Sequence, residues 1–158
     1  MLKYVDAKVV FAEVPDEVTL AINISNCPCQ CKGCHSSYLA EDIGNQLTKT
    51  SLKKLIEDNK GVSCIAFMGG DSNPINIIAL ASWVKTHTNL KTAWYSGRQE
   101  LNKTVGLQLY WFDYIKLGPY IKEFGPLNSK TTNQRFYKVN DKELVDITNK
   151  FWKHEVEN

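Results

Sequence analysis

The stretch Val62-Ser63-Cys64-Ile65-Ala66-Phe67-Met68-Gly69-Gly70-Asp71-Ser72-Asn73-Pro74 reads as strand, turn and helix start within thirteen residues. Its first seven positions form a continuous apolar run of strand length, the pattern of a strand covered on both faces. Gly69-Gly70-Asp71 breaks the run, and Asn73-Pro74 supplies an N-cap followed by proline at the first helical position. Beyond it Ile77, Ile78, Ala81 and Val84 make an apolar helical stripe that fades near Thr88.

The same grammar recurs on both sides. Upstream, Val18–Ser25 alternates like a strand and runs directly into a cysteine-rich loop. Leu52, Leu55 and Ile56 then take helical spacing, with Thr48 or Thr50 as cap and Gly61 as stop. Downstream, Lys91–Tyr95, Phe112–Leu117 and Gln134–Val139 read as three further strands. Between them a short helix is expected over Gln99–Val105 and a loop over Tyr120–Thr132. Asn140 and Glu143 resemble a capping box opening a last helix with Leu144, Ile147 and Phe151 on one face. Strands alternating with helices imply right-handed crossovers and a parallel sheet. A full eight-unit barrel needs about 250 residues, so 158 residues predict one domain (1–158) built as a partial, open β/α barrel of five to six mostly parallel strands. No internal repeat or low-complexity segment is visible.

Composition narrows the function classes. Nineteen basic against seventeen acidic residues leave a formal charge of +2, too small for a general polyanion binder, so no nucleic-acid partner is expected. No apolar run approaches the roughly 18–20 residues of a membrane span, and the N-terminus begins no secretory signal. The expectation is a cytoplasmic protein without membrane attachment. In that compartment thiols stay reduced, and a dense cysteine cluster points to metal binding or catalysis rather than disulfides.

Four of the five cysteines fall within eight residues: Cys27, Cys29, Cys31 and Cys34. Soft thiolates select iron–sulfur clusters, zinc or copper(I). Structural zinc wants four ligands, usually as two pairs from separate loops, and here Cys29 would have to complete the set. The spacing of bacterial ferredoxin loops is absent. Three cysteines on a four-iron cluster leave one iron open to a ligand such as an amine with a carboxylate. Glycine permits close backbone approach, so the Gly69-Gly70 carbonyls could accept from a ligand ammonium, with Asp71 adding charge-assisted bonding. The cysteine loop, Gly69-Gly70-Asp71 and Tyr95-Ser96-Gly97 all follow strands, the edge where parallel sheets bind ligands.

The spacing Cys27-x3-Cys31-x2-Cys34 resembles the radical S-adenosylmethionine superfamily. Further segments follow in order: Cys31-Lys32-Gly33-Cys34-His35, Met68–Asp71, Trp94–Gly97, Ile115–Tyr120 and Thr131–Arg135. Together they resemble the family of anaerobic ribonucleoside-triphosphate reductase activating proteins, from about residue 15 to about residue 140. Many superfamily members carry an aromatic residue before the third cysteine. This chain has Gly33, as that subfamily commonly does.

The resemblance implies that Cys27, Cys31 and Cys34 ligate a [4Fe-4S] cluster whose unique iron is chelated by S-adenosylmethionine. Gly33, Cys34 and His35 would lie along the cofactor, Gly69, Gly70 and Asp71 would form its methionine-binding turn, and Ser96 would contact it from the next strand end. No catalytic residue beyond the cluster ligands is implied. An electron from a donor such as flavodoxin or ferredoxin would cleave the sulfonium to methionine and a 5′-deoxyadenosyl radical. That radical would take hydrogen from a glycine on the large subunit of the anaerobic ribonucleotide reductase. Cys29 reads as a bystander thiol and Cys64 as a buried small hydrophobe. Trp83, Trp94 and Tyr110-Trp111-Phe112 read as core, Lys116 and Arg135 as solvated charge.

Overall fold

The computed structural model describes residues 2–25, 41–101, 103–106 and 108–152. Within them lie strands β1 (Lys3–Val10), β2 (Thr19–Ile24), β3 (Asn45–Gln46), β4 (Cys64–Met68), β5 (Lys91–Tyr95), β6 (Tyr114–Leu117), β7 (Arg135–Asn140) and β8 (Glu143–Asp146). The helices are α1 (Lys49–Asp58), α2 (Pro74–His87) and the single turn α3 (Lys103–Gly106). Thr48 caps α1 through a reciprocal pair with Ser51, and the Asn73 side chain accepts from the Asn76 amide at the start of α2.

The partial β/α barrel of five to six mostly parallel strands is overturned. Eight strands form one sheet in the linear order β3-β1-β2-β4-β5-β6-β7-β8. Four of its seven ladders are antiparallel, and only β2-β4-β5-β6 run parallel. Two misreadings explain the difference. Lys3–Val10 carries Lys3, Asp6 and Lys8 on a half-buried strand, so its periodicity is weak and no strand was expected there. At the other end, Asn140↔Glu143 is the last pair of a β-hairpin, and Asp141 takes the left-handed conformation (φ 57°) in its two-residue loop. Glu143, which resembled a helix first-turn acid, therefore begins an edge strand, and the last helix does not form.

Both helical crossovers lie on one side of the sheet. Leu20, Ile22 and Ile24 of β2, Ile65 and Phe67 of β4, Trp94 of β5 and Ile115 of β6 meet Leu52 of α1 and Ile77, Ile78, Ala81 and Val84 of α2. Among the described residues the opposite face receives no α-helix, only the 3-10 turn Thr148–Phe151. Val14, from the β1–β2 loop, and Phe136, from β7, cover Cys64, Ala66, Ala93 and Tyr114, and Ile147 and Phe151 pack on them. Burial on both sides is why β4 reads as an uninterrupted apolar run.

A polar clasp closes the N-terminal ends of the parallel strands. Buried Glu17 accepts from Ser63 Oγ (2.5 Å) and from Lys91 Nζ (2.6 Å), joining the entries to β2, β4 and β5. Burial alone would raise the Glu17 carboxyl, but the hydrogen bonds from Lys91 and Ser63 and the Lys91 charge outweigh it and hold it below its ordinary 4.5. A carboxylate depressed on folding contributes stability above its unfolded value, and loses it as the pH falls through its folded one. Glu17→Gln is therefore expected to flatten the acid limb of the Tm–pH curve below 4.5. Parallel Tm–pH curves for the variant and the parent would refute this.

Candidate functional site

The C-terminal ends of β2, β4 and β5 share one edge, since the parallel registers align Asn23 with Met68 and Met68 with Tyr95. At the end of β2, Ser25 donates its amide to Lys3 O (3.0 Å) and its hydroxyl to Ile43 O (2.5 Å). The chain thus leaves and re-enters this edge at one place on either side of residues 26–40. Cys27, Cys29, Cys31, Gly33, Cys34 and His35 all fall in that segment, outside the described residues.

The structure does bring Gly69, Gly70, Asp71 and Ser96 together. Gly69 (φ 114°) and Gly70 (φ 92°) occupy backbone conformations that L side chains rarely adopt. A Cβ on Gly69 would stand 3.1 Å from Ile24 O, and one on Gly70 2.5 Å from Ile77 Cδ1. The pair therefore lets the end of β4 pass between the end of β2 and the first turn of α2. Both carbonyls already accept one bond within the chain, Gly69 O from the Trp94 indole (2.7 Å) and Gly70 O from the Asn73 amide (3.0 Å). Each retains a second lone pair for a ligand N–H.

Asp71 is 2% exposed, and its carboxylate turns toward the next strand end. Ser96 Oγ donates to Oδ1 (2.5 Å) and the Gly97 amide to Oδ2 (2.8 Å). Ser96 Oγ in turn accepts from the Arg98 amide at 3.1 Å.

Lys116 departs from expectation: it is 7% exposed, not solvated. Its Nζ donates to Gly118 O (3.0 Å) and lies 5.7 Å above the Tyr95 ring. The signal that finds it is positional, since β6 lies between β5 and β7 with both faces covered and any lysine there is buried. Arg135 is half-exposed and pairs with Asp146 across the β7–β8 hairpin (3.7 Å). Phe112 is buried, whereas Tyr110 stands half out of the surface.

Cys64 lies at the opposite end of β4, fully buried beside Thr19. Burial, then the nearby Glu17 and Asp113 charges, push its thiol up to about 12. A thiol held protonated is a poor metal ligand. Among the described residues no group of three or more His, Cys, Asp or Glu side chains could hold a metal ion. Of the five cysteines, the four clustered ones are thus left for soft-ligand chemistry. Three or four thiolates within eight residues of sequence suit an iron–sulfur cluster.

A family model described as a 4Fe-4S single cluster domain matches residues 18–109. The chain belongs to this family. The matched residues run from the start of β2 through the cysteine-rich segment and α1 to the turn before β6, so they contain the whole edge described above. Of the thiolate chemistries that the cysteine spacing leaves open, the family is the iron–sulfur one, and a 4Fe-4S cluster-binding domain is present. No curated protein and no solved structure matches the chain. Among the described residues no helix is long and apolar enough to cross a membrane.

Proposed function

We infer that this 4Fe-4S single cluster domain is a radical S-adenosylmethionine activating enzyme, with Cys27, Cys31 and Cys34 as cluster ligands. Its substrate on this reading is a glycine in the large subunit of an anaerobic ribonucleotide reductase. The observation that carries it is the pairing of that cysteine spacing with the Gly69-Gly70-Asp71 turn, which ends the neighbouring strand at the edge where the cysteine segment begins. A cluster held by Cys27, Cys31 and Cys34 would supply one-electron reductive cleavage of the sulfonium cofactor, and through it hydrogen-atom removal from the substrate glycine.

The chain's own residues bind and orient. Gly69 and Gly70 each keep a second carbonyl lone pair suited to a ligand ammonium, on a turn that carries no side chain of its own. Gly33 and His35 flank the third ligand. On this reading a protein substrate completes the enclosure of the cofactor. Electrons would come from a small one-electron carrier of the flavodoxin or ferredoxin kind.

The test uses anaerobically reconstituted protein. Dithionite with S-adenosylmethionine is expected to release methionine and 5′-deoxyadenosine, and adding the reductase large subunit should produce a glycyl-radical doublet by electron paramagnetic resonance. Reduction of the cluster without any cofactor cleavage would leave an electron carrier and overturn the reading. Cleavage without a radical on that subunit would move the substrate elsewhere.

A further inference from the structure

The Gly69-Gly70 turn has a physical problem that the rest of the edge solves. Two successive glycines are the least restricted residues the chain has, and a peptide plane between them can rotate with little steric resistance. A turn that presents carbonyl oxygens to a ligand needs those oxygens fixed before the ligand arrives, because ordering them on binding would weaken it. Two side chains stand where they can do this.

Trp94 is one. Its ring is buried on the helical side of β5 and stacks on Phe112 with centroids 5.8 Å apart. From that fixed ring the indole N–H reaches Gly69 O at 2.7 Å, which selects one orientation of that peptide plane. Asp71 is the other. Both of its carboxylate oxygens accept from the β5 end, from Ser96 Oγ and from the Gly97 amide, and the Gly69 amide also bonds back to Tyr95 O at 3.0 Å. These bonds tie the turn after β4 to the turn after β5, and Arg98 Nη2 adds another by donating to Asp71 O at 3.4 Å.

We propose that Trp94 and Asp71 are positioning residues that lock the Gly69-Gly70 and Ser96-Gly97 turns into one rim, and that neither touches the ligand. The assignment rests on the cofactor-holding role given to Gly69-Gly70 above. It differs from the expectation that Asp71 bonds a ligand ammonium directly. The lost contact is structural, so its effect should resemble removal of an outer-shell partner, about tenfold in affinity.

Three measurements on cluster-loaded protein test it. Trp94→Phe, and benzothienylalanine placed at position 94 to remove only the N–H, should each raise the dissociation constant for S-adenosylmethionine about tenfold, read from the cofactor-induced change in the reduced cluster's paramagnetic spectrum. Iron and sulfide content should stay at the parent level. In the absence of cofactor, amide exchange over residues 69–73 should quicken in both, and exchange at Gly97 should quicken in Asp71→Asn. Finally, Asp71→Asn and Ser96→Ala should each weaken binding, with the double variant no weaker than the worse single one, because both break the same tie. Multiplying effects of Asp71→Asn and Ser96→Ala would instead place Asp71 on the ligand and overturn the assignment. So would position-94 variants that bind like a responsive parent. A parent that shows no cofactor-dependent change would overturn the functional reading as well.

Discussion

Cys27→Ala, Cys31→Ala and Cys34→Ala are each expected to leave the chain without a stable four-iron cluster, whereas Cys29→Ala keeps it. The measurement is iron and acid-labile sulfide per chain after anaerobic reconstitution, with the visible absorption of the cluster as a second readout. The effect is close to all-or-none because each thiolate carries a large share of the binding free energy of a cluster held by only three ligands. No described side chain can substitute. Cys64, the one cysteine among the described residues, sits fully buried at the far end of β4 with its thiol pushed up to about 12. The variants should otherwise fold, since described residues of β2, β4, β5, β6 and the two long helices already share one core. Apo-protein Tm is thus expected to match between the three variants and the parent. Retention of a full cluster by Cys31→Ala, or its loss in Cys29→Ala, would reassign the ligands.

That prediction rests on a part of the molecule that spacing alone made legible. Thiolate softness and an eight-residue cluster point to a metal without reference to any fold, and the family match over residues 18–109 agrees on iron–sulfur. The central strands were legible for a different reason. Val62–Met68, Lys91–Tyr95 and Val18–Ser25 are apolar or alternating over a full strand length and end in glycine, serine or cysteine, and the observed strands lie inside those ranges. Asn73-Pro74 likewise marks the start of α2 where it is found.

The outer strands were hidden by their environment. β1 lies between β2 and a two-residue edge strand and is only half buried, so charged residues are tolerated along it and no period emerges. Residues 140–147 carry a pattern that satisfies two grammars at once. Asn140 and Glu143 stand three apart as in a capping box, and Leu144, Ile147 and Phe151 repeat at helical spacing. Asp141 decides between them by adopting a positive φ, which ends β7 in a hairpin turn and puts Glu143 opposite Asn140. The apolar residues still reach the core, Leu144 from a strand and Ile147 and Phe151 from the chain that follows it. A correct inventory of buried residues was therefore compatible with the wrong element, and with it a helix-wrapped barrel replaced a mixed, open sheet. Lys116 and Asp71 illustrate a further limit: composition marks a charge, while only the register of neighbouring strands shows that it is buried and what it holds.

The face opposite α1 and α2 supplies the second large effect. Phe136→Ala is expected to destabilise the fold by about 3–5 kcal/mol, lowering Tm on the order of 10 °C in a chain of this size. Phe136 is fully buried, with ring centroids 4.9 Å from Phe151, 5.8 Å from Tyr114 and 5.9 Å from Tyr95. Its backbone amide donates to Thr148 Oγ1 at 2.8 Å. One ring therefore joins β5, β6 and β7 to the 3-10 turn after β8, on the face that no described α-helix covers. Truncating it leaves a cavity that the stacked aromatics around it cannot collapse to fill. Val145→Ala is the control on the same hairpin, since Val145 is 45% exposed and its loss should cost under about 1 kcal/mol. Chemical denaturation of the cluster-free protein measures both. Equal midpoints for Phe136→Ala and Val145→Ala would mean that some other element covers this face.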